Sequence, residues 1–203
     1  PVDTDEVIQK IKSEKPAIVF APHVETSAGI ILPNEYIKAV SEAVHSVGGI
    51  FVLDCVASGA LWVDMKKTGV DVLLSAPQKG WSSSPCSGLV MLSENASQLI
   101  RNTKSSSYVC DLLKWLQIME AYESGGHAYH STMPTDSLAK FRDTLVETEE
   151  YGFEKTRQEQ IDLGIEYIEF VKLEELFEEF IPEFNEPPME EEIYFEPMVM
   201  ILE

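Results

Sequence analysis

Ile50-Phe51-Val52-Leu53-Asp54 is a continuous apolar run closed by a carboxylate. A run so short and unbroken reads as a strand buried on both faces, the pattern of a parallel sheet sheltered by helices. Working upstream, Pro33 and Asn34 open a segment with apolar residues at Tyr36, Ile37, Val40, Ala43, Val44 and Val47. That spacing predicts a helix, and Gly48-Gly49 stops it just before the strand. Ahead of the helix, Ala17-Ile18-Val19-Phe20-Ala21 is a second buried run. Downstream, Val70 to Ser75, with Asp71 inside it, reads as the next strand, and Gly88-Leu89-Val90-Met91-Leu92 as another. Strand, crossover helix and strand in repetition predict an α/β fold, a mostly parallel sheet with helices on its faces. Beyond the sheet, Asp111 to Tyr122 and Thr135 to about Gly164 read as helices. Pro134 and Thr135 start the second, and Leu138, Phe141, Leu145 and Tyr151 supply its apolar side.

The 203 residues suffice for one sizeable domain, and 44% hydrophobic content makes a buried core feasible. A formal charge of -20 argues against nucleic acid or an anionic membrane surface as the main partner. No apolar run reaches the ~18 residues of a membrane span. Residues Pro1 to Glu6 show no basic region followed by an apolar stretch, so a cytoplasmic protein is expected. Cys55, Cys86 and Cys110 are odd in number and irregularly spaced, which predicts buried, reduced thiols and no metal site.

Composition shifts near Gly164. Residues 166–203 carry 13 glutamates, one lysine and no arginine. An amphipathic stretch (Ile165, Ile168, Leu173, Leu176, Phe177, Phe180) precedes a proline-broken end at Pro187-Pro188, so residues 165–203 are expected to form a helical acidic tail, separate from a domain over 1–164.

Parallel sheets present ligands at the carboxyl ends of their strands. Asp54 ends one strand, and Lys79 follows the next after Ser75-Ala76-Pro77-Gln78, so both fall at one edge. On spacing alone, a pair of solvated surface charges is the simpler reading.

The local words change that. Ser75-Ala76-Pro77-Gln78-Lys79-Gly80-Trp81, Leu53-Asp54-Cys55-Val56-Ala57-Ser58, His23-Val24-Glu25-Thr26-Ser27-Ala28-Gly29 and Tyr129-His130-Ser131-Thr132-Met133-Pro134 stand in that family's order for a chain that resembles the class V aminotransferases, nearest to the alanine–glyoxylate and serine–pyruvate kind. The resemblance covers about residues 16–164. It implies a fold-type-I large domain, a three-layer α/β/α arrangement, and pyridoxal 5'-phosphate as cofactor. The aldehyde of that cofactor forms a Schiff base with a lysine amine, and an aspartate keeps its pyridine nitrogen protonated. Residue by residue, Lys79 matches the Schiff-base lysine and proton shuttle, and Asp54 the partner of the pyridine nitrogen. Val56 matches a residue packed on the ring, Thr26 the hydroxyl near the phenolic oxygen, and Gln78 a phosphate-side donor. Tyr129 and Thr132 match residues that reach the phosphate of a neighbouring subunit, which implies a homodimer with shared sites. The implied reaction moves an amino group between alanine or serine and glyoxylate or pyruvate. His23 reads equally as a hydrogen-bonded core histidine, Trp81 as packing, and Cys86 as structural.

The family's large domain begins before the equivalent of Pro1. Its glycine-containing phosphate turn, ring-stacking aromatic residue and carboxylate-binding arginine have no counterpart among these residues, Arg157 being the last arginine. The expectation is therefore a large domain truncated at both ends, with an inactive fragment or dimerisation remnant as the alternative. A cysteine desulfurase-like relative is disfavoured by the lack of a late loop cysteine.

Overall fold

The computed structural model describes residues 1–171 and 201–202. In chain order the elements are α1 (Thr4–Glu14), β1 (Ile18–Pro22), β2 (Val24–Glu25), β3 (Ile30–Ile31), α2 (Asn34–Ser46), β4 (Ile50–Asp54), α3 (Met65–Thr68), β5 (Val72–Ser75), β6 (Leu89–Leu92), α4 (Glu94–Arg101), α5 (Leu112–Glu123), α6 (Thr135–Tyr151), α7 (Phe153–Val171) and β7 (Ile201–Leu202). Among the described residues, five strands form one sheet in the order β6-β5-β4-β1-β7, and β2 and β3 form a small hairpin. The neighbours β1, β4 and β5 run parallel, while β6 and β7 are antiparallel to β5 and β1. The mostly parallel α/β sheet expected from the apolar runs is thus present, with antiparallel edges.

The central strand has the bounds its apolar run indicates. Phe51 and Leu53 are fully buried, and they meet Val19 from β1 and Leu73 from β5. Helix α2 lays Ile37, Val40, Ala43 and Val44 on this layer, all at most 4% exposed, and α1 adds Ile11. Each such Ile, Val, Leu or Phe side chain contributes roughly 1.5–3 kcal/mol by leaving water. Asp3 caps α1 by accepting from the N–H groups of Asp5 and Glu6 at 3.0 and 3.2 Å. After α2, Gly48 takes a φ of +80°, which lets the chain turn sharply into β4.

Three expectations need correction. The single helix from Thr135 to about Gly164 is two helices. Gly152, at φ +103°, interrupts it, and the chain then continues as α7 to Val171. The apolar side repeats across the break, so periodicity alone does not reveal it. Asp71 lies just before β5 rather than inside it. Its buried carboxylate accepts from the Phe51 N–H at 3.0 Å, sits 2.7 Å from His45 Nε2, and accepts from Ser93 Oγ at 3.1 Å. Burial pushes that carboxyl up, but the bonds from Phe51 and His45 outweigh it and leave the pKa below the ordinary value. The thiols are free but not uniformly buried: Cys55 is buried, Cys86 half-buried and Cys110 exposed. Of the expected acidic tail, residues 165–171 continue α7. The stretch around Leu173 to Phe180 and Pro187-Pro188 lies outside the described residues.

Candidate active site

Three strand ends meet at the carboxyl edge of the sheet. Register places Pro22 opposite Asp54, and Asp54 opposite Leu74. Past these ends the chain segments stay tied together. The His23 N–H donates to the Asp54 carbonyl at 2.8 Å, the Cys55 N–H to the Leu74 carbonyl at 2.8 Å, and the Leu32 N–H to the His23 carbonyl at 2.9 Å. The last bond fixes the base of the β2–β3 hairpin, whose exposed turn carries Thr26.

Asp54 is exposed, and its Oδ1 accepts from the Val56 N–H at 2.9 Å. That bond fixes the carboxylate and turns the chain out of the sheet, leaving Val56 half-buried beside it. Lys79 lies in the turn Pro77–Gly80 that follows β5. Pro77 is buried and anchors the turn, the Lys79 N–H donates to the Ala76 carbonyl at 3.3 Å, and Ser82 returns a bond to the Lys79 carbonyl at 3.0 Å. The side chains of Lys79 and Gln78 are exposed. Among the described residues, the Lys79 amine, Asp54 Oδ2, the Thr26 hydroxyl and the Gln78 amide have no hydrogen-bond or ion-pair partner.

Backbone meets backbone beside Lys79. A Cβ built on Gly80 would lie 2.1 Å from the Gly59 carbonyl oxygen, so only glycine permits the turn to sit on the loop that follows β4. That loop is held by Ser58, whose Oγ is 2.7 Å from His23 Nδ1 in a buried pair. His23 is thus a core histidine, and burial lowers its pKa. Burial also pushes the Cys55 thiol up to about 11, which leaves it inert. Trp81 closes the turn by donating from Nε1 to Ser75 Oγ at 3.1 Å. It also packs 4.7 Å from Trp62, with Phe141 and Phe153 edge-on. Helices α6 and α7 therefore meet the Lys79 turn through aromatic rings.

Tyr129 and Thr132 lie apart from this edge. They are bonded to each other at 3.0 Å on an exposed segment, and Tyr129 is 75% exposed. Tyr108 braces the segment, its hydroxyl donating to the His130 carbonyl at 2.5 Å while His130 Nε2 donates to the Tyr108 carbonyl at 2.7 Å. Both Tyr129 and Thr132 line a cleft of about 2140 Å³ that also takes in Ser58, Gly59, Trp62 and Trp81. Lys79, Asp54, Thr26 and Gln78 are not on its wall, and no hydrogen bond joins the two groups among the described residues. Sequence reasoning missed Gln160 of α7, whose amide bonds to the Ser58–Ala60 loop. A partner 100 residues away leaves no local signal. Among the described residues no three His, Cys, Asp or Glu side chains cluster as metal ligands, and no helix is long and apolar enough to cross a membrane.

Comparison with known proteins bears on the family and the fold. The family described as "Aminotransferase class-V" matches residues 1–175. The alanine–glyoxylate aminotransferase of Callithrix jacchus is 31% identical over 154 residues, which are 74% of this chain and 36% of that protein. Among solved structures, the alanine–glyoxylate aminotransferase of Nostoc sp. superposes with a TM-score of 0.71 at 23% identity, over 83% of this chain and 45% of that one. The ureidoglycine–glyoxylate aminotransferase of Bacillus subtilis gives 0.63 at 27% identity, over 77% and 39%. The chain spans less than half the length of each of these three proteins. By the extent of the family match and the architecture it shares with these enzymes, the chain belongs to the class V aminotransferases.

Proposed function

We propose that the chain carries the cofactor-holding core of a pyridoxal-phosphate-dependent aminotransferase that moves an amino group between alanine or serine and glyoxylate or pyruvate. One observation supports this most: Lys79 stands on a turn seated by the Gly59–Gly80 contact, past the strand neighbouring the one that Asp54 ends, with its amine unengaged among the described residues. The substrate class rests on the relatives named alanine–glyoxylate aminotransferase.

The donor set fits pyridoxal phosphate. Among the described residues the Lys79 amine, Asp54 Oδ2, the Thr26 hydroxyl and the Gln78 amide are without a partner, and all four residues are exposed at or past the carboxyl ends of β1, β4 and β5, Thr26 on the hairpin that follows β1. When bound, the cofactor supplies an electron sink that makes the α-proton of an amino acid removable. Lys79 Nζ would hold its carbonyl carbon, then carry the proton from the substrate Cα to the position where it is returned. Asp54 would accept a hydrogen bond from the ring nitrogen and hold a proton there. Val56 would pack on a ring face, Thr26 would bond the phenolic oxygen, and Gln78 would donate to the phosphate. Tyr129 and Thr132 would reach the phosphate of a second copy, making the working unit a homodimer; the exposure of Tyr129 and its bond to Thr132 support this reading.

Titration with pyridoxal phosphate tests this. A saturable visible absorbance band is expected from the protein and not from Lys79→Ala. An equal response from the two would refute it.

A further inference from the structure

The loop between Ser58 and Ala60 is gripped from two sides. On one, Ser58 Oγ meets His23 Nδ1 at 2.7 Å, and both residues are 4% exposed. On the other, α7 lays the Gln160 amide across the loop. Oε1 accepts from the Ala60 N–H at 2.5 Å, and Nε2 donates to the Ser58 carbonyl at 3.4 Å. Gly59 lies between these bonds at φ +59°, and a Cβ there would come within 2.4 Å of Gln160 Oε1. The amide therefore rests directly on Gly59, whose backbone is the seat of Gly80, the residue after Lys79.

We propose that Gln160 is a positioning residue for Lys79, acting through the Ser58–Ala60 loop and the Gly59–Gly80 backbone contact. It rests on the reading that Lys79 holds pyridoxal phosphate. Gln160 needs no contact with ligand to do this. Without its amide, the Ala60 N–H and Ser58 carbonyl lose partners, and glycine, the most flexible residue, is left to set the position of the turn. Replacement by glutamate keeps an acceptor for the shorter bond, loses the longer one and sets a carboxylate oxygen towards the Ser58 carbonyl. Replacement by methionine keeps the reach and loses both.

The test compares wild type, Gln160→Ala, Gln160→Met and Gln160→Glu at a temperature where each is folded. Three quantities are read: affinity for pyridoxal phosphate, the pH midpoint of the visible absorbance, and the rate at which dilute acetic anhydride acylates Lys79, followed by mass spectrometry without cofactor. Loss of the short bond is expected to weaken cofactor binding about tenfold, as for an unpaired buried partner. It should also move the pH midpoint and change the Lys79 acylation rate relative to the other lysines. Gln160→Glu, which keeps the short bond, should recover most of the loss in all three. If Gln160→Ala does not fold, Gln160→Met carries the same expectation. A purely structural role would lower the melting temperature and leave the three readouts unchanged, and that result overturns the proposal. A wild type without the absorbance band counts against the Lys79 reading instead, and the acylation rates then decide on Gln160.

Discussion

Gly80→Ala is the most exposed prediction of the site geometry. The new Cβ would stand 2.1 Å from the Gly59 carbonyl oxygen, 2.5 Å from its carbon and 2.7 Å from its Cα. All three neighbours are backbone, so no side-chain rotation relieves the clash. Ordinary contact begins at 3.4 Å, so the turn and the loop have to part by more than 1 Å. Overpacking of this kind costs about 1–3 kcal/mol. For a chain of 203 residues, ~2 kcal/mol corresponds to a melting temperature lower by roughly 4–8 °C. The displacement falls on the residue next to Lys79, and misplacement of a reacting group by about 1 Å can cost on the order of a hundredfold in rate. Thermal melts and pyridoxal phosphate titration together check this: Gly80→Ala should melt lower and bind the cofactor at least about tenfold more weakly. A variant within about 1 °C and about twofold of wild type, each under ~0.5 kcal/mol, would refute the close seating of the Lys79 turn on Gly59.

Two further outcomes follow from the buried groups His23 and Asp71. Because burial lowers the pKa of His23, the unfolded chain takes up a proton near 6.5 that the folded chain refuses. Stability from this source is full above that value and is lost as pH falls towards the folded value; melts should drop between pH 7 and 5, and His23→Asn should shallow the slope, whereas an unaltered slope would contradict it. Asp71→Ala removes the acceptor of the buried Phe51 N–H and the partner of His45, at an expected cost of about 3 kcal/mol by chemical denaturation, with Asp71→Asn costing less. Equal stability of Asp71→Ala and wild type would show that this network holds nothing together.

Much of the sheet was legible because burial on both faces writes itself as unbroken apolar runs. Ile50 to Asp54 is the clearest case, and the helix from Asn34 to Ser46 follows from its spacing and the glycines after it. The direction of β6 was not legible, since Leu89–Leu92 is equally apolar whichever way it runs. Helix α1 was passed over because Ile11 is its one fully buried residue, although Asp3 and the acids after it form a start signal. The break at Gly152 hid behind a periodicity that continues through it, and Asp71 read as a strand residue because its partners His45 and Ser93 lie 26 and 22 residues away. At the candidate site, the strand ends put Asp54 and Lys79 at one edge of the sheet, but spacing alone left them as surface charges, and only the resemblance of the words around them made them candidates. What seats Lys79 could not be read: the Gly59–Gly80 contact and the Gln160 amide come together only when α7 returns to the sheet edge.

Lys79 is proposed to be the residue that holds pyridoxal phosphate. Borohydride reduction in the presence of the cofactor, followed by peptide mass spectrometry, tests it most directly. One stable adduct is expected, on the peptide containing Lys79, and it should vanish in Lys79→Ala. Adducts spread evenly over the exposed lysines, with the same yield from the variant, would contradict it.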